Sequence, residues 1–164
     1  MAALTAGKAA PQVRLSRMDG GDFSLEEARQ RGPVVLAFFK ISCPVCQYTL
    51  PFLERLYKAH RGKVAILGVS QNPKKDTAAF LKEYGITFPV LLDDTRSYPA
   101  SNAYGITNVP TVFLVGSAGT IEVSSVGWYK HDIERISRRM AEAMSLPPAP
   151  VFHLEEQVID SKAG

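Results

Sequence analysis

The sequence predicts an α/β domain built around a mixed β-sheet, and three patterns carry that prediction. Short continuous apolar runs, typical of strands buried on both faces, occur at several points along the chain. Between them lie segments whose apolar residues recur every three or four positions, as in helices that pack on a sheet. Near the end two strands follow one another directly, joined by the turn 117–119, which indicates an antiparallel portion.

These patterns give the order strand, helix, strand, helix, strand, short helix, strand, strand, helix. Strand–helix–strand units imply parallel pairing with helices on both faces of the sheet. The strands are predicted at 33–39, 64–69, 89–92, 111–115 and 120–126. The helices are predicted at 44–60, 76–84 and 132–144, and their apolar stripes are interpreted as core packing.

The 164 residues fit one domain, with additions at both ends. Residues 1–11 are predicted to be a flexible N-terminus and residues 12–145 the folded domain. Its first part should hold a short strand, a Gly-Gly turn and a helical turn capped by Ser24, with Glu27 completing a capping box. Residues 146–164 begin with prolines and are predicted to be an extended C-terminal tail, poorly ordered unless it docks on a partner or an edge strand.

Charge and hydropathy disfavour several classes of protein. The net charge is +3 and no run of Lys or Arg exceeds two, so nucleic acid and membrane surfaces are not expected partners. No apolar stretch approaches the roughly 20 residues that cross a bilayer, and the first residues lack the pattern of a secretory signal. A cytoplasmic location is therefore expected, and the oligomeric state stays open.

Two cysteines, Cys43 and Cys46, form a Cys-Pro-Val-Cys motif directly after the first buried strand. A pair with this spacing is typical of a redox-active dithiol or of half a zinc site. Zinc would need two more ligands, and the histidines, His60, His131 and His153, have no ligand-like spacing. The motif therefore predicts a redox dithiol, with no metal and no cofactor.

The position of the dithiol at the start of a helix predicts different roles for its two thiols. The positive end of the helix dipole should favour the thiolate of Cys43, which makes it the attacking nucleophile. Cys46 lies one turn further on the same side, where it should be more buried and act as the resolving thiol. Pro44 is tolerated in the first helical turn, and Pro51 should kink the helix.

A second motif, Asn-Val-Pro-Thr at 108–111, precedes the strand 111–115. Proline is allowed at the first residue of a strand. By itself the motif predicts only a trans proline in a loop.

The order of these elements and motifs resembles the thioredoxin superfamily over residues 12–144. The resemblance implies a thioredoxin-like fold, with a central mixed β-sheet flanked by helices and an N-terminal extension. It also implies that Pro110 is cis and packs beside the dithiol, and that Val109, Pro110 and Pro44 contact the substrate. The N-terminal extension and the strand end at 68–70 are similar to the TlpA/ResA-like and AhpC/TSA (redoxin) branch.

Two positions depart from the family pattern. Ser42 stands where thioredoxins usually have tryptophan, and Thr49 stands where TlpA-like proteins often have glutamate. The function expected from the resemblance is a thiol–disulfide oxidoreductase that reduces protein or small-molecule disulfides, with an unidentified thiol as electron donor.

Two other functions remain open at this point. In a peroxiredoxin-like thiol peroxidase, an antioxidant enzyme, Cys46 would align with the peroxidatic cysteine, although Cys43 and Phe39 stand where that motif has threonine and proline. The proline-rich tail and the missing tryptophan suggest instead a non-enzymatic redox sensor or interaction scaffold.

Overall fold

The computed structural model describes residues 2–164, and along them nine strands and five helices follow one another. The strands are β1 (Arg14–Arg17), β2 (Asp22–Ser24), β3 (Val34–Phe39), β4 (Ala65–Ser70), β5 (Val90–Leu92), β6 (Thr111–Val115), β7 (Ile121–Val126), β8 (Trp128–Tyr129) and β9 (Ser161–Lys162). The helices are α1 (Leu25–Arg29), α2 (Pro44–Ala59), α3 (Lys74–Glu83), α4 (Pro99–Ala103) and α5 (Lys130–Ala143).

Seven strands form one mixed sheet in the order β2-β1-β5-β4-β3-β6-β7. β3 pairs in parallel with β4, and β4 with β5, while the other neighbours are antiparallel. The predicted α/β class and mixed sheet are confirmed. The two strands β8 and β9 form a separate antiparallel pair.

The central strand β3 is buried at all six positions because helices cover both faces of the sheet. On one face Val35, Ala37 and Phe39 join a cluster that includes apolar residues of α2, α3 and α5. On the other face the alternate residues of β3 join a cluster that includes Leu25 at the start of α1, Ala100 of α4 and the C-cap of α4, Tyr104. This two-sided burial explains why the sequence shows a continuous apolar run here and not an alternating one.

The N-terminal part is more regular than predicted. The expected short strand is β1, and after the glycine turn the chain returns as β2, which the sequence did not indicate because its three residues form no apolar run. The predicted cap is present: the hydroxyl of Ser24 accepts a hydrogen bond from the main-chain N–H of Glu27. Residues of the 1–11 segment also bond to β7 and its preceding turn, as in Gly7 N to Ile121 O.

The tail, residues 146–164, runs back across α2 and ends beside β8 as β9. It thus docks on an edge strand, the condition under which the sequence predicted order. The domain boundaries themselves stay predictions. None of the helices within residues 2–164 has the length and the apolar character that a bilayer crossing requires.

Candidate active site

The dithiol lies where β3 gives way to α2. Cys43 is the N-cap of the helix, in extended conformation, and its Sγ accepts a hydrogen bond from the N–H of Cys46 at 3.3 Å. Pro44 occupies the first turn, where a missing N–H leaves no intrahelical bond unmade. The cap geometry therefore holds one sulfur at the exposed positive end of the helix and the other one turn inside it.

Neighbouring side chains fix the short connection between β3 and the helix. The amide oxygen of Asn72, just after β4, accepts the N–H of Ile41 at 2.9 Å. From the opposite side Gln47 donates its side-chain amide to the carbonyl of Ile41 at 3.0 Å. The turn is completed by a bond from Cys43 N to Lys40 O. The position of Cys43 is thus set by both the sheet and the helix.

The two thiols are free and lie in different surroundings. Cys43 is half-buried, whereas Cys46 is fully enclosed in the core. Burial raises the pKa of Cys46 far above its ordinary value, and the adjacent Cys43 adds to that effect. A hydrogen bond with the main chain of Lys40, and the charge of that residue, oppose the increase only in part.

The second motif lies directly against the dithiol. The peptide bond between Val109 and Pro110 is cis, which is the geometry that the resemblance implies. The thiol of Cys43 donates to the carbonyl oxygen of Val109 at 3.4 Å. Beyond it, Thr111 Oγ1 donates to Asn108 O at 2.7 Å and closes the turn. The structure therefore brings Cys43, Cys46, Pro44, Val109 and Pro110 into one place.

The two departures from the family pattern have different surroundings. Ser42 is exposed beside the dithiol. Thr49 is fully buried, and its hydroxyl donates to the carbonyl of Val45 at 2.7 Å within the helix. The hydroxyl is therefore engaged in the helix itself, away from solvent.

The sequence patterns did not indicate that α2 carries a buried acid. Glu54 is 5% exposed, and its carboxylate accepts the main-chain N–H groups of Thr87 and Phe88 and the Thr87 hydroxyl. It fastens the helix to the loop before β5, on the side away from the cysteines. Glu54 lies four residues after Leu50 and so falls on the apolar stripe of the helix. That position could have indicated a buried acid.

The single tryptophan and the tail that covers it were not among the predicted site residues. Trp128 is fully buried, packs edge-to-face with Tyr48 and at a tilt against Phe52 of α2, and donates its indole N–H to the carbonyl of Ile159. No cluster of three or more His, Cys, Asp or Glu side chains in residues 2–164 could hold a metal ion.

The fold and the capped dithiol beside a cis proline define a member of the thioredoxin superfamily, and comparison with known proteins agrees. The thioredoxin domain of a thiol-disulfide oxidoreductase from Bacteroides vulgatus superposes with a TM-score of 0.72, covering 83% of this chain and 97% of that one at 22% identity. That similarity concerns the fold alone.

Sequence comparison is more specific. The thiol-disulfide oxidoreductase ResA of Geobacillus thermodenitrificans is 32% identical over 136 residues, 81% of this chain and 76% of that protein. The thioredoxin-like protein YneN of Bacillus subtilis is 30% identical over 126 residues, 74% of this chain and 71% of YneN. The AhpC/TSA family model matches residues 6–124. The chain belongs to the AhpC/TSA family, in its TlpA/ResA-like branch, and is a thiol–disulfide oxidoreductase.

Proposed function

We propose that this enzyme reduces disulfides, with Cys43 as the attacking thiolate and Cys46 as the resolving thiol. The observation that carries these roles is the contrast between the two sulfurs. One is half-exposed at a helix N-cap, where it accepts an N–H bond, and the other is enclosed one turn below. A thiolate at the first position is stabilised by the helix terminus and can be reached by a substrate.

The exchange proceeds in two balanced steps. The Cys43 thiolate attacks one sulfur of the substrate disulfide, forms a mixed disulfide with it and releases the other sulfur as a thiolate. Cys46 then attacks the sulfur of Cys43 and its proton passes to the departing substrate sulfur, so the intramolecular disulfide forms and the second half of the substrate leaves as a thiol. Two electrons pass to the substrate, and a thiol donor must return them to the enzyme.

The substrate lies against Val109 and Pro110 in this proposal, with Pro44 on the other side of the attacking sulfur. The Val109 carbonyl already accepts the thiol of Cys43, so the atoms that would face a substrate chain adjoin the nucleophile. A polypeptide or a small molecule could supply the disulfide.

A thiol peroxidase that uses Cys46 is less well supported by the geometry. A peroxidatic cysteine must be a thiolate that peroxide can reach. Cys46 has no exposed surface, and burial raises its pKa, so the neutral thiol dominates. The cytoplasmic location stays a prediction; in that compartment thiol systems would keep the dithiol reduced.

Substitution of each cysteine tests the proposed roles. With hydroxyethyl disulfide as substrate, Cys43→Ser should remove at least about 99% of the reductase rate, since no thiolate remains at the helix end. Cys46→Ser should accumulate the mixed disulfide on Cys43, visible by mass spectrometry. Ser117→Ala, in the turn before β7, is the matched control and should leave the rate unchanged. Unchanged reduction in Cys43→Ser would contradict the proposal.

The direction of electron flow is tested by a redox titration of the Cys43–Cys46 pair. A reduction potential near the thioredoxin value of about −270 mV would support a reductase. A potential near about −120 mV, the value of a strong oxidant, would overturn that direction.

A further inference from the structure

The tail is anchored to α2 well before it reaches the dithiol. Val151 is buried, and Phe152 packs against Phe52 and Trp128. The guanidinium of Arg55, on α2, makes two parallel hydrogen bonds of 2.7 Å to the carboxylate of Glu156. These contacts direct the rest of the tail toward the start of the helix.

The segment 159–164, here called the terminal strip, then lies along β8. Its strand β9 pairs antiparallel with Trp128 and Tyr129, and Lys130 N donates to Asp160 O at 2.9 Å. Both main-chain polar groups of Ile159 are hydrogen-bonded. Its carbonyl accepts the indole N–H of Trp128, and its N–H donates to the hydroxyl of Tyr48. The terminal strip therefore uses the main-chain groups that β8 would otherwise present to another chain.

The terminal strip also reaches the motif that holds the cis proline. The side-chain amide of Asn108 donates to the carbonyl of Gly164 at 3.4 Å. Gly164 lies so close to Val109 that a Cβ at position 164 would collide with the Val109 carbonyl oxygen. That oxygen is the one that accepts the thiol of Cys43, so the terminal strip and the nucleophile meet at a single carbonyl.

Between the terminal strip and the start of α2 a gap remains. Pro44, Val45 and Tyr48 on one side, and Ile159 and Lys162 on the other, line a cavity of about 110 Å³. With the strip in place Cys43 is still half-exposed. A small disulfide can therefore approach the sulfur. An extended chain, in contrast, would find the main chain of β8 already paired and Gly164 lying against the Val109 carbonyl.

We propose that the terminal strip determines substrate specificity: docked beside Cys43, it occupies the surface against which an extended polypeptide disulfide would lie, and so favours small disulfides. The proposal rests on the proposed function, since it concerns substrates of the same thiolate. Extended peptides bind exposed strand edges through main-chain hydrogen bonds, and an edge already paired is closed to them. Only molecules in which the strip is undocked can bind a polypeptide. The apparent affinity for a polypeptide is therefore reduced in proportion to the undocked fraction.

Two variants of the full chain displace the strip and test the proposal. Gly164→Val introduces the collision with Val109, and Lys162→Pro removes an N–H from β9. Leu154→Ser is the matched control, because Leu154 lies in the same tail with its side chain fully exposed. Trp128 is the only tryptophan, so its indole N–H resonance reports whether the strip is docked.

In both variants we expect the rate of insulin reduction to increase about tenfold. The docked strip loses the equivalent of one or two net hydrogen bonds, so a larger fraction of molecules is open to the polypeptide. Reduction of hydroxyethyl disulfide should stay within about twofold of wild type, because that substrate needs no strand edge. Leu154→Ser should match wild type on both substrates. If the indole resonance shifts and insulin reduction does not increase, the proposal is wrong.

A second experiment decides the question without displacing variants. In Cys46→Ser, Cys43 is trapped as a mixed disulfide either with a short peptide carrying one cysteine or with mercaptoethanol. The peptide adduct should shift the Trp128 indole resonance and the mercaptoethanol adduct should not. Equal spectra for the two adducts would overturn the proposal, whereas failure of Cys43 to form either adduct would instead contradict the proposed function.

Discussion

The two sides of Cys43 are built in different ways. On the helix side, formed by β3 and α2, the sulfur is held by the core: β3 is buried at every position, and Leu50, Leu53 and Leu56 of the helix have no exposed surface. On the tail side, formed by residues 151–164 against Trp128–Tyr129, most of the covering residues are half-buried or exposed. There the contacts are one buried valine, a few aromatic pairs, a two-residue strand and an ion pair.

This difference separates the two requirements of the site. The geometry of the dithiol depends on the core, so it can change only if the fold itself is disturbed. The covering of the sulfur depends on peripheral contacts, each of which contributes little and can open locally. The fold thus keeps the nucleophile fixed while the access to it can vary.

The largest expected effect comes from removing apolar volume on each side. Leu50→Ala should lower the free energy of unfolding by about 3 kcal/mol, through lost burial and the cavity left behind. Phe152→Ala should lower it by only about 1 kcal/mol, because the half-buried ring contributes mainly its aromatic contacts. Denaturant unfolding of the reduced protein measures both values.

The exposed residue Lys75 on α3 provides a control for helix substitutions, and Lys75→Ala should change the unfolding free energy by less than about 0.5 kcal/mol. Equal losses in Leu50→Ala and Phe152→Ala would break the comparison. The tail would then be as much a part of the cooperative core as the helix.

The same difference explains what the sequence could predict. The helix side follows from local patterns: the apolar run of β3, the stripe of α2 and the position of Cys-Pro-Val-Cys between them indicate the element types and the placement of the dithiol. The cis bond at Pro110 did not follow from the residues alone, since the local sequence favours trans, and it entered only through the family resemblance.

The tail side could not be predicted, because no local pattern encodes it. Residues 161–162 form a strand only because Trp128–Tyr129 offer an edge, and the ion pair joins Arg55 to Glu156 across 101 positions of sequence. Gly164 matters through its closeness to Val109, which no spacing rule reveals. The composition of the tail indicated only an extended segment.

A smaller effect is expected from the burial of Cys46, on the helix side, which should make the stability of the protein depend on pH. Because burial raises its pKa, Cys46 keeps its proton in the folded state above pH 9.0, its ordinary value, while the unfolded chain loses it. The unfolded state then binds fewer protons, so stability is present below that pH and decreases as pH rises. In this range the free energy of unfolding of the reduced protein should decrease more steeply with pH than that of Cys46→Ala, by about 1.4 kcal/mol per pH unit.

Urea unfolding at several alkaline pH values measures this difference. Comparison with Cys46→Ala cancels the groups common to both proteins, among them Tyr104, whose pKa is also raised by burial. Parallel pH dependence in the two proteins would show that Cys46 is not in a low-dielectric environment, and the contrast between the two sides of Cys43 would be lost.

The smallest effect concerns the ion pair that anchors the tail. Arg55 lowers the pKa of Glu156 to about 2, below the ordinary carboxyl value of 4.5. Above pH 4.5 the carboxylate therefore favours docking in full, and this contribution is lost as the pH falls from 4.5 toward about 2. The pair remains partly in water, where ion pairs are weak, so the change should be modest.

The Trp128 indole resonance should keep its docked position down to the ordinary carboxyl value and move toward the undocked position below it. In Glu156→Gln the resonance should start nearer the undocked position and show a smaller response to acid, because that side chain does not titrate. Identical acid titrations in the two proteins would show that the tail is held by its apolar contacts alone, and the tail side would then be closer in kind to the helix side than the ion pair suggests.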